Sequence, residues 1–184
     1  MPHTPPHQPR RRDRATDDAA IRELLTTIPF CTIAHADGGQ PFAHVNTFVY
    51  HAADHAIYLH TAATGRLRDT IRVNPRVCLV AGEMGRLLPA AEALHFSVEY
   101  RSAVVFGRMA VIDDPGQAAA ALQCLLDRYF PHLRPDVDYR GITAGELKRT
   151  AVYRLAVENW SGKAKSVPAD FPGAFTWKDI PHDA

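Results

Sequence analysis

The sequence predicts a mainly β fold with peripheral helices (α+β), in which about six antiparallel strands form a small closed or split barrel. Three observations carry this expectation. Short apolar segments alternate with Gly-, Asp- and His-containing turns between Phe30 and Thr61. Strands linked by such short turns must meander antiparallel, because a parallel pair needs a crossover of a dozen or more residues. The helical patterns are few and peripheral to the strands, and no GxGxxG element opens a β-α-β unit.

In chain order, residues 1–14 are rich in Pro, His and Arg and are expected to be a disordered tail. Asp17 or Asp18 caps a helix reaching about Thr27, with Ile21, Leu24, Leu25 and Ile28 on one face, and Pro29 ends it. Phe30 to Ala36 is a buried strand, Asp37-Gly38-Gly39 a hairpin turn and Phe42 to Tyr50 the returning strand. His51 to His55 turns into a third strand, Ala56 to Thr61. Arg66 to Val73 is a short helix with Leu67 and Ile71 toward the core; Pro75 closes it, and Val77 to Ala81 is the fourth strand. Residues 82–97 read as an irregular apolar loop able to cover a ligand or a partner. Val98 to Ile112 is a long strand, apolar on both faces, as suits a sheet covered by the core on one side and a dimer partner on the other.

Asp114-Pro115 opens a helix with the stripe Ala118, Ala121, Leu122, Leu125, Leu126 and Tyr129. Thr143 and Glu146 have capping-box spacing for a further short helix. Ala151 to Glu158 is the last strand. The domain thus spans residues 15–165, and the tail 166–184, with Phe171, Phe175 and Trp177, is expected to dock in part.

Composition narrows the function. With 46% hydrophobic and 22% charged residues and a net charge of +1, the 184-residue chain has no electrostatic footprint for nucleic acid. No apolar run approaches the ~18–20 residues of a membrane helix. No apolar segment follows the N-terminal arginines, against a secretory leader. Cys31, Cys78 and Cys124 are an odd, widely spaced set in apolar runs, which favours reduced thiols and a cytoplasmic location.

The chemistry concentrates at His60-Thr-Ala-Ala-Thr-Gly-Arg-Leu-Arg68. A strand running into a helix start leaves unpaired backbone N–H groups facing outward. Gly65 permits close approach, Arg66 offers a bidentate fork, Arg68 a second charge, and Thr61 and Thr64 hydroxyls. Such a cradle suits the phosphate monoester of a cofactor; the competing reading is a helix cap at Thr64 with two solvated arginines. The histidines lack zinc-like spacing, so no metal site is expected. No GxSxG nucleophile occurs, and Asp37, Asp54, Asp113 and Asp114 read as turn or cap residues rather than a hydrolase pair. His60, at the strand end beside the cradle, is the best catalytic candidate.

In order and spacing, Gly39-Gln-Pro-Phe42, Val45-Asn-Thr-Phe-Val-Tyr50, Ile57-Tyr-Leu-His60, Gly65-Arg66, Asn74-Pro-Arg-Val77, Tyr100-Arg-Ser102, Val105-Phe-Gly107 and Ser161-Gly-Lys163 resemble one known family. It is that of the pyridoxamine 5′-phosphate oxidase-like flavoproteins with the FMN-binding split barrel, nearest the nitroimidazole-resistance branch. The resemblance implies a homodimer with FMN at the subunit interface and a small-molecule substrate. It implies that His44, Val45, Asn46 and Thr47 lie along the flavin ring, that His60 and Thr61 follow the ribityl chain, and that Gly65 and Arg66 meet the phosphate. Ser102 and Lys163 would approach the flavin across the dimer. Leu67 stands where the family often has a phosphate-binding lysine, so Arg68 or another basic residue must supply that charge. The Arg-Leu-His-Asp motif of true pyridoxamine phosphate oxidases is absent, against vitamin B6 oxidation. The resulting expectation is an FMN-dependent oxidoreductase, possible substrates being nitroaromatic or quinone-like compounds. The alternative is a non-enzymatic flavin- or haem-binding carrier or sensor, with His44, His60 or His95 as axial ligand.

Overall fold

The computed structural model describes residues 8–180. The strands are β1 (Ala15–Thr16), β2 (Cys31–Asp37), β3 (Gln40–Asn46), β4 (Val49–His51), β5 (Ala56–Ala62), β6 (Arg76–Leu88), β7 (Ser97–Val111) and β8 (Thr150–Lys165). Four α-helices flank them: α1 (Asp18–Thr27), α2 (Arg66–Val73), α3 (Pro115–Tyr129) and α4 (Ala144–Leu147). All strand pairs are antiparallel, in the order β3-β2-β6-β7-β8-β5-β4, with β1 also on β8. The architecture is therefore the mainly antiparallel split barrel with peripheral helices that the sequence predicts. Ile33, Phe48, Ile57, Leu59, Leu79, Val105, Tyr153 and Leu155 fill it, with Leu24 and Leu25 of α1 and Leu67 and Ile71 of α2 packed against them.

Local signals set the helix starts. The Asp17 carboxylate accepts the Ala20 N–H at 2.9 Å and the Asp114 carboxylate accepts the Gln117 N–H at 2.8 Å. Thr143 and Glu146 form a reciprocal capping box on α4. Gly38 and Gly39, both at positive φ, join the paired residues Asp37 and Gln40 in a two-residue turn.

Three differences from the expected layout matter. The sheet has eight strands rather than six. The segment Phe42 to Tyr50 is two strands, broken at Thr47 and Phe48, because the Phe48 N–H bonds the Tyr129 hydroxyl at 3.1 Å instead of a neighbouring strand. That hydroxyl in turn lies 2.5 Å from the Pro29 carbonyl, while the Asn46 amide donates to the His60 carbonyl at 3.0 Å. The ends of β3 and β5 are thereby tied where the barrel splits.

The second difference is that residues 82–88 are not a loop but continue β6 along β7, with a register shift between Met84 and Leu87. The third is that β8 runs on to Lys165, where β7 supplies its partners. Glu99 of β7 fixes the irregular stretch through Arg86, at 2.8 and 2.9 Å. Arg86 also donates to the carbonyls of Val167 and Ala169, and the Glu99 carboxylate accepts the Val167 N–H at 2.8 Å. Leu87 and Phe175 exchange backbone bonds at 2.7 and 3.2 Å, so residues 166–175 return along β6. At the other end Arg12–Arg14 is a 3-10 turn; residues 1–7 and 181–184 of the two tails lie outside the described residues. Among the described residues no helix is long and apolar enough to cross a membrane.

Candidate cofactor-binding site

The site is best built from the start of α2. Gly65 precedes the helix at φ 144°, a conformation strained for any L side chain, and open space surrounds the position of its missing Cβ. No side chain caps the helix, Thr64 included, so the cap alternative for Thr64 does not hold. The first intrahelical bond is from the Asp69 N–H to the Gly65 carbonyl, which leaves the N–H groups of Arg66, Leu67 and Arg68 directed outward. Leu67 is buried against Ile71, so charge at this end comes from the arginines. The Arg66 guanidinium lies over the Phe42 ring at 4.0 Å from its centroid. Arg68 donates to the Ala63 carbonyl, and its Nε is buried without a partner. An uncapped helix start with two guanidiniums, one carrying an orphaned N–H, fits an anion such as a phosphate monoester.

β3 contributes the neighbouring wall. His44 alternates inward with Phe42 and Asn46, whereas Val45 points outward and is 64% exposed. His44 meets His35 of β2 edge-on at 5.7 Å, and His35 stacks on Phe42 at 5.9 Å. Arg66, Phe42, His35 and His44 thus form one column. His35 Nδ1 and His44 Nε2 are buried without partners, and burial pushes both imidazoles below their usual range. His35 and Phe42 were not among the sequence-derived site residues; the alternation of His35 with Cys31 and Ile33 on one strand face was the available signal.

β5 divides its pair. Thr61 faces inward, its hydroxyl 2.8 Å from that of Tyr153, which the sequence reading did not single out. His60 faces the other way, toward α3, and shares a cavity with Thr47. His60 and Thr61 therefore do not line one continuous path. Burial lowers the His60 pKa as well.

Ser102 and Lys163 stand directly opposite each other on β7 and β8. Thr61 pairs with Ala151, twelve residues along β8 from Lys163. Within one chain, then, the candidate residues form two groups. One gathers around the α2 start and the ends of β3 and β5; the other lies on the opposite portion of β7 and β8. Among the described residues no three His, Cys, Asp or Glu side chains are grouped to hold a metal ion. The Cys31 thiol, buried in β2, is pushed up to about 12 and is inert as a nucleophile at neutral pH.

An antiparallel split barrel with this basic helix start at its margin defines the class of pyridoxamine 5′-phosphate oxidase-like folds. The family model for pyridoxamine 5′-phosphate oxidase matches residues 17–164, and the chain belongs to that family. Among solved structures, it is similar to the flavocytochrome Anf3 from Azotobacter vinelandii, with 26% identity and a TM-score of 0.75 over 88% of this chain and 74% of that one. It is also similar to an FAD and haem binding protein from Mycobacterium smegmatis, with 27% identity and a TM-score of 0.74 over 85% and 76%. A candidate 5-nitroimidazole antibiotic resistance protein from Bacteroides thetaiotaomicron shares the fold at 20% identity and a TM-score of 0.68, over 82% and 86%. A search of the curated proteins finds no match.

Proposed function

We propose that this chain is an FMN-binding flavoprotein and an oxidoreductase, reducing nitroaromatic or quinone-like compounds as a cytoplasmic homodimer. The observation that carries the reading is the uncapped, glycine-led start of α2 beside Arg66 and Arg68. The flavin-binding relatives support the same cofactor class. When bound, the flavin supplies the electron transfer. Arg66, Arg68 and the α2 N–H groups hold the phosphate, with Thr64 and Gly65 at its edge and Thr61 beside them. The Asn46 amide fixes the end of β3 against β5, and His44 and Asn46, which share the inward face of β3, line the ring, with Val45 turned outward and Thr47 in the cavity beneath α3. His60, whose pKa partial burial lowers, is the group we assign to accept a proton.

The dimer reading rests on the outward sheet face. Val45, Thr32, Val80 and Val104 form one row across four strands, and Val45, Val80 and Met84 are 64, 39 and 52% exposed. Ser102 and Lys163 lie on β7 and β8 of this same sheet, so a partner seated there brings them to a second copy's flavin. Free Cys31, Cys78 and Cys124 favour the reducing cytoplasm.

The test is a visible spectrum after incubation with FMN and desalting. Bands near ~375 and ~450 nm are expected, with FMN held at least about tenfold more tightly than FAD. A flat spectrum removes the flavin reading. A second reading, a haem module, is favoured by the orphaned, neutral Nε2 of His44 and would give a Soret band. His95, 63% exposed in its side chain and 3.5 Å from Glu92, is the poorest of the axial-ligand candidates.

A further inference from the structure

A cavity of about 400 Å³ lies outside the barrel, between α3 and the ends of β3 and β5. That volume falls within the ordinary range of small-molecule sites and is too small for a folded peptide. One wall is the continuation of the α3 stripe: Leu122, Leu125, Leu126 and Phe130. The facing wall is Ile142 and Tyr139, from the connector between α3 and α4. The two walls are held together by polar bonds that leave the interior apolar. The Tyr139 hydroxyl accepts from the Gln123 amide at 2.9 Å, and the Tyr129 hydroxyl is occupied by Pro29 and Phe48.

The charges around this cavity are already balanced. Its charged lining residues are Arg140 and Glu146, and they pair at 2.8 Å on the rim. Glu146 is in addition committed to the cap of α4 through Thr143. His60 is also in the lining, and partial burial lowers its pKa, which disfavours a charged imidazole there. A charged guest would have to give up water without finding a counter-charge. Two groups of the lining have no protein partner, the Thr47 hydroxyl and the His60 ring, and both can bond an oxygen. Their position matters because Thr47 and His60 sit where the Asn46 amide joins β3 to β5, at the edge of the candidate cofactor site.

We infer that this cavity is a binding site for an uncharged, flat, largely apolar molecule of one or two fused rings, with a carbonyl or hydroxyl oxygen directed at His60 and Thr47. As the substrate chamber of the oxidoreductase it rests on the flavin reading; as a binding site it stands without it. The site lies under α3, not beneath residues 82–97, which the sequence reading offered as the cover and which are in part β6.

The experiment is isothermal titration of the full chain, with and without FMN, using 2,3-dimethyl-1,4-naphthoquinone. That ring has no free position for thiol addition, so Cys78 and Cys124 cannot capture it covalently. Saturable one-to-one binding is expected, weakened at least about tenfold by Leu126→Trp and, from the opposite wall, by Ile142→Trp. Both variants should retain the wild-type circular dichroism spectrum and FMN affinity. Naphthalene-2-sulfonate, similar in size but anionic, should bind at least about tenfold more weakly. Absence of binding to the wild-type chain, or full affinity in both filled variants, overturns the site. Equal affinity for the sulfonate overturns the neutral-ligand class. One-to-one haemin binding whose Soret band is lost in Leu126→Trp gives the cavity to a tetrapyrrole and overturns it too. Protein that takes FMN but not the quinone refutes this inference alone; protein that takes the quinone but not FMN refutes the flavin reading alone.

Discussion

Arg66 and Phe42 are stacked 4.0 Å apart, joining the first turn of α2 to β3. The contact orients a guanidinium that would otherwise sweep through solvent, and it leaves the N–H edge available to an oxyanion. A pre-oriented fork loses less freedom when it binds, so orientation and charge contribute together.

Arg66→Ala is therefore expected to weaken FMN about tenfold or more, and Phe42→Leu about two- to fivefold, because the second keeps the charge and removes the platform. Fluorescence titration of free FMN measures both. Equal and full affinity in Arg66→Ala would take Arg66 out of the cradle.

Stability should fall on the acid side of neutrality. Burial lowers the pKa of His35, His44 and His60 in the folded chain, so the unfolded chain binds more protons as pH drops through about 6.5. The stability contributed by the neutral rings is complete above that pH and is lost as pH falls toward the folded-state values. Urea midpoints are expected to decrease from pH 7.5 to 5, and less steeply in His35→Phe, which keeps the stack on Phe42 without a titrating group. An identical slope in that variant would show that His35 does not contribute.

Tyr129→Phe removes the hydroxyl that accepts the Phe48 N–H and reaches the Pro29 carbonyl. Leaving those backbone groups unpaired should cost ~1–3 kcal/mol in denaturant unfolding. A cost near zero would mean that water takes the hydroxyl's place.

Glu99→Gln should release residues 166–175. Arg86 and the Val167 N–H hold the Glu99 carboxyl at about 2, and the same Arg86 carries the carbonyls of Val167 and Ala169. Faster tryptic cleavage after Lys165, with an unchanged far-UV spectrum, is the expected result. Wild-type cleavage rates would show that the Leu87–Phe175 pairing suffices. The charged clamp contributes fully above the ordinary carboxylate range and weakens as pH falls toward 2.

What could be read from the sequence follows the range of the forces involved. Asp17, Asp114, the Gly38-Gly39 turn and the Thr143–Glu146 box act within a few residues, and each sets its element where the sequence puts it. The break at Thr47 and Phe48 was hidden, because Thr47 to Tyr50 is β-branched or aromatic throughout and the hydroxyl that interrupts it comes from 81 residues away. Residues 82–88 look irregular for a related reason: Gly82 and Gly85 have little intrinsic strand preference, and β7 supplies the pairing that overrides it. At the site, Gly65, Arg66 and Arg68 were visible through local chemistry. The column from Arg66 to His44 and the opposed directions of His60 and Thr61 depend on which face each strand turns inward, and the α3 cavity depends on how that helix lies on the sheet.

The sheet ends in β3 and β4, consecutive strands joined through Thr47 and Phe48. One terminal strand carries Pro41, and the other is three residues long. Neither offers a long row of free backbone groups on which another chain could add a strand. In the proposed homodimer the contacts between copies would then fall on the broad faces of the sheet, where pairing closes on itself, rather than along a strand edge, where it would continue without end.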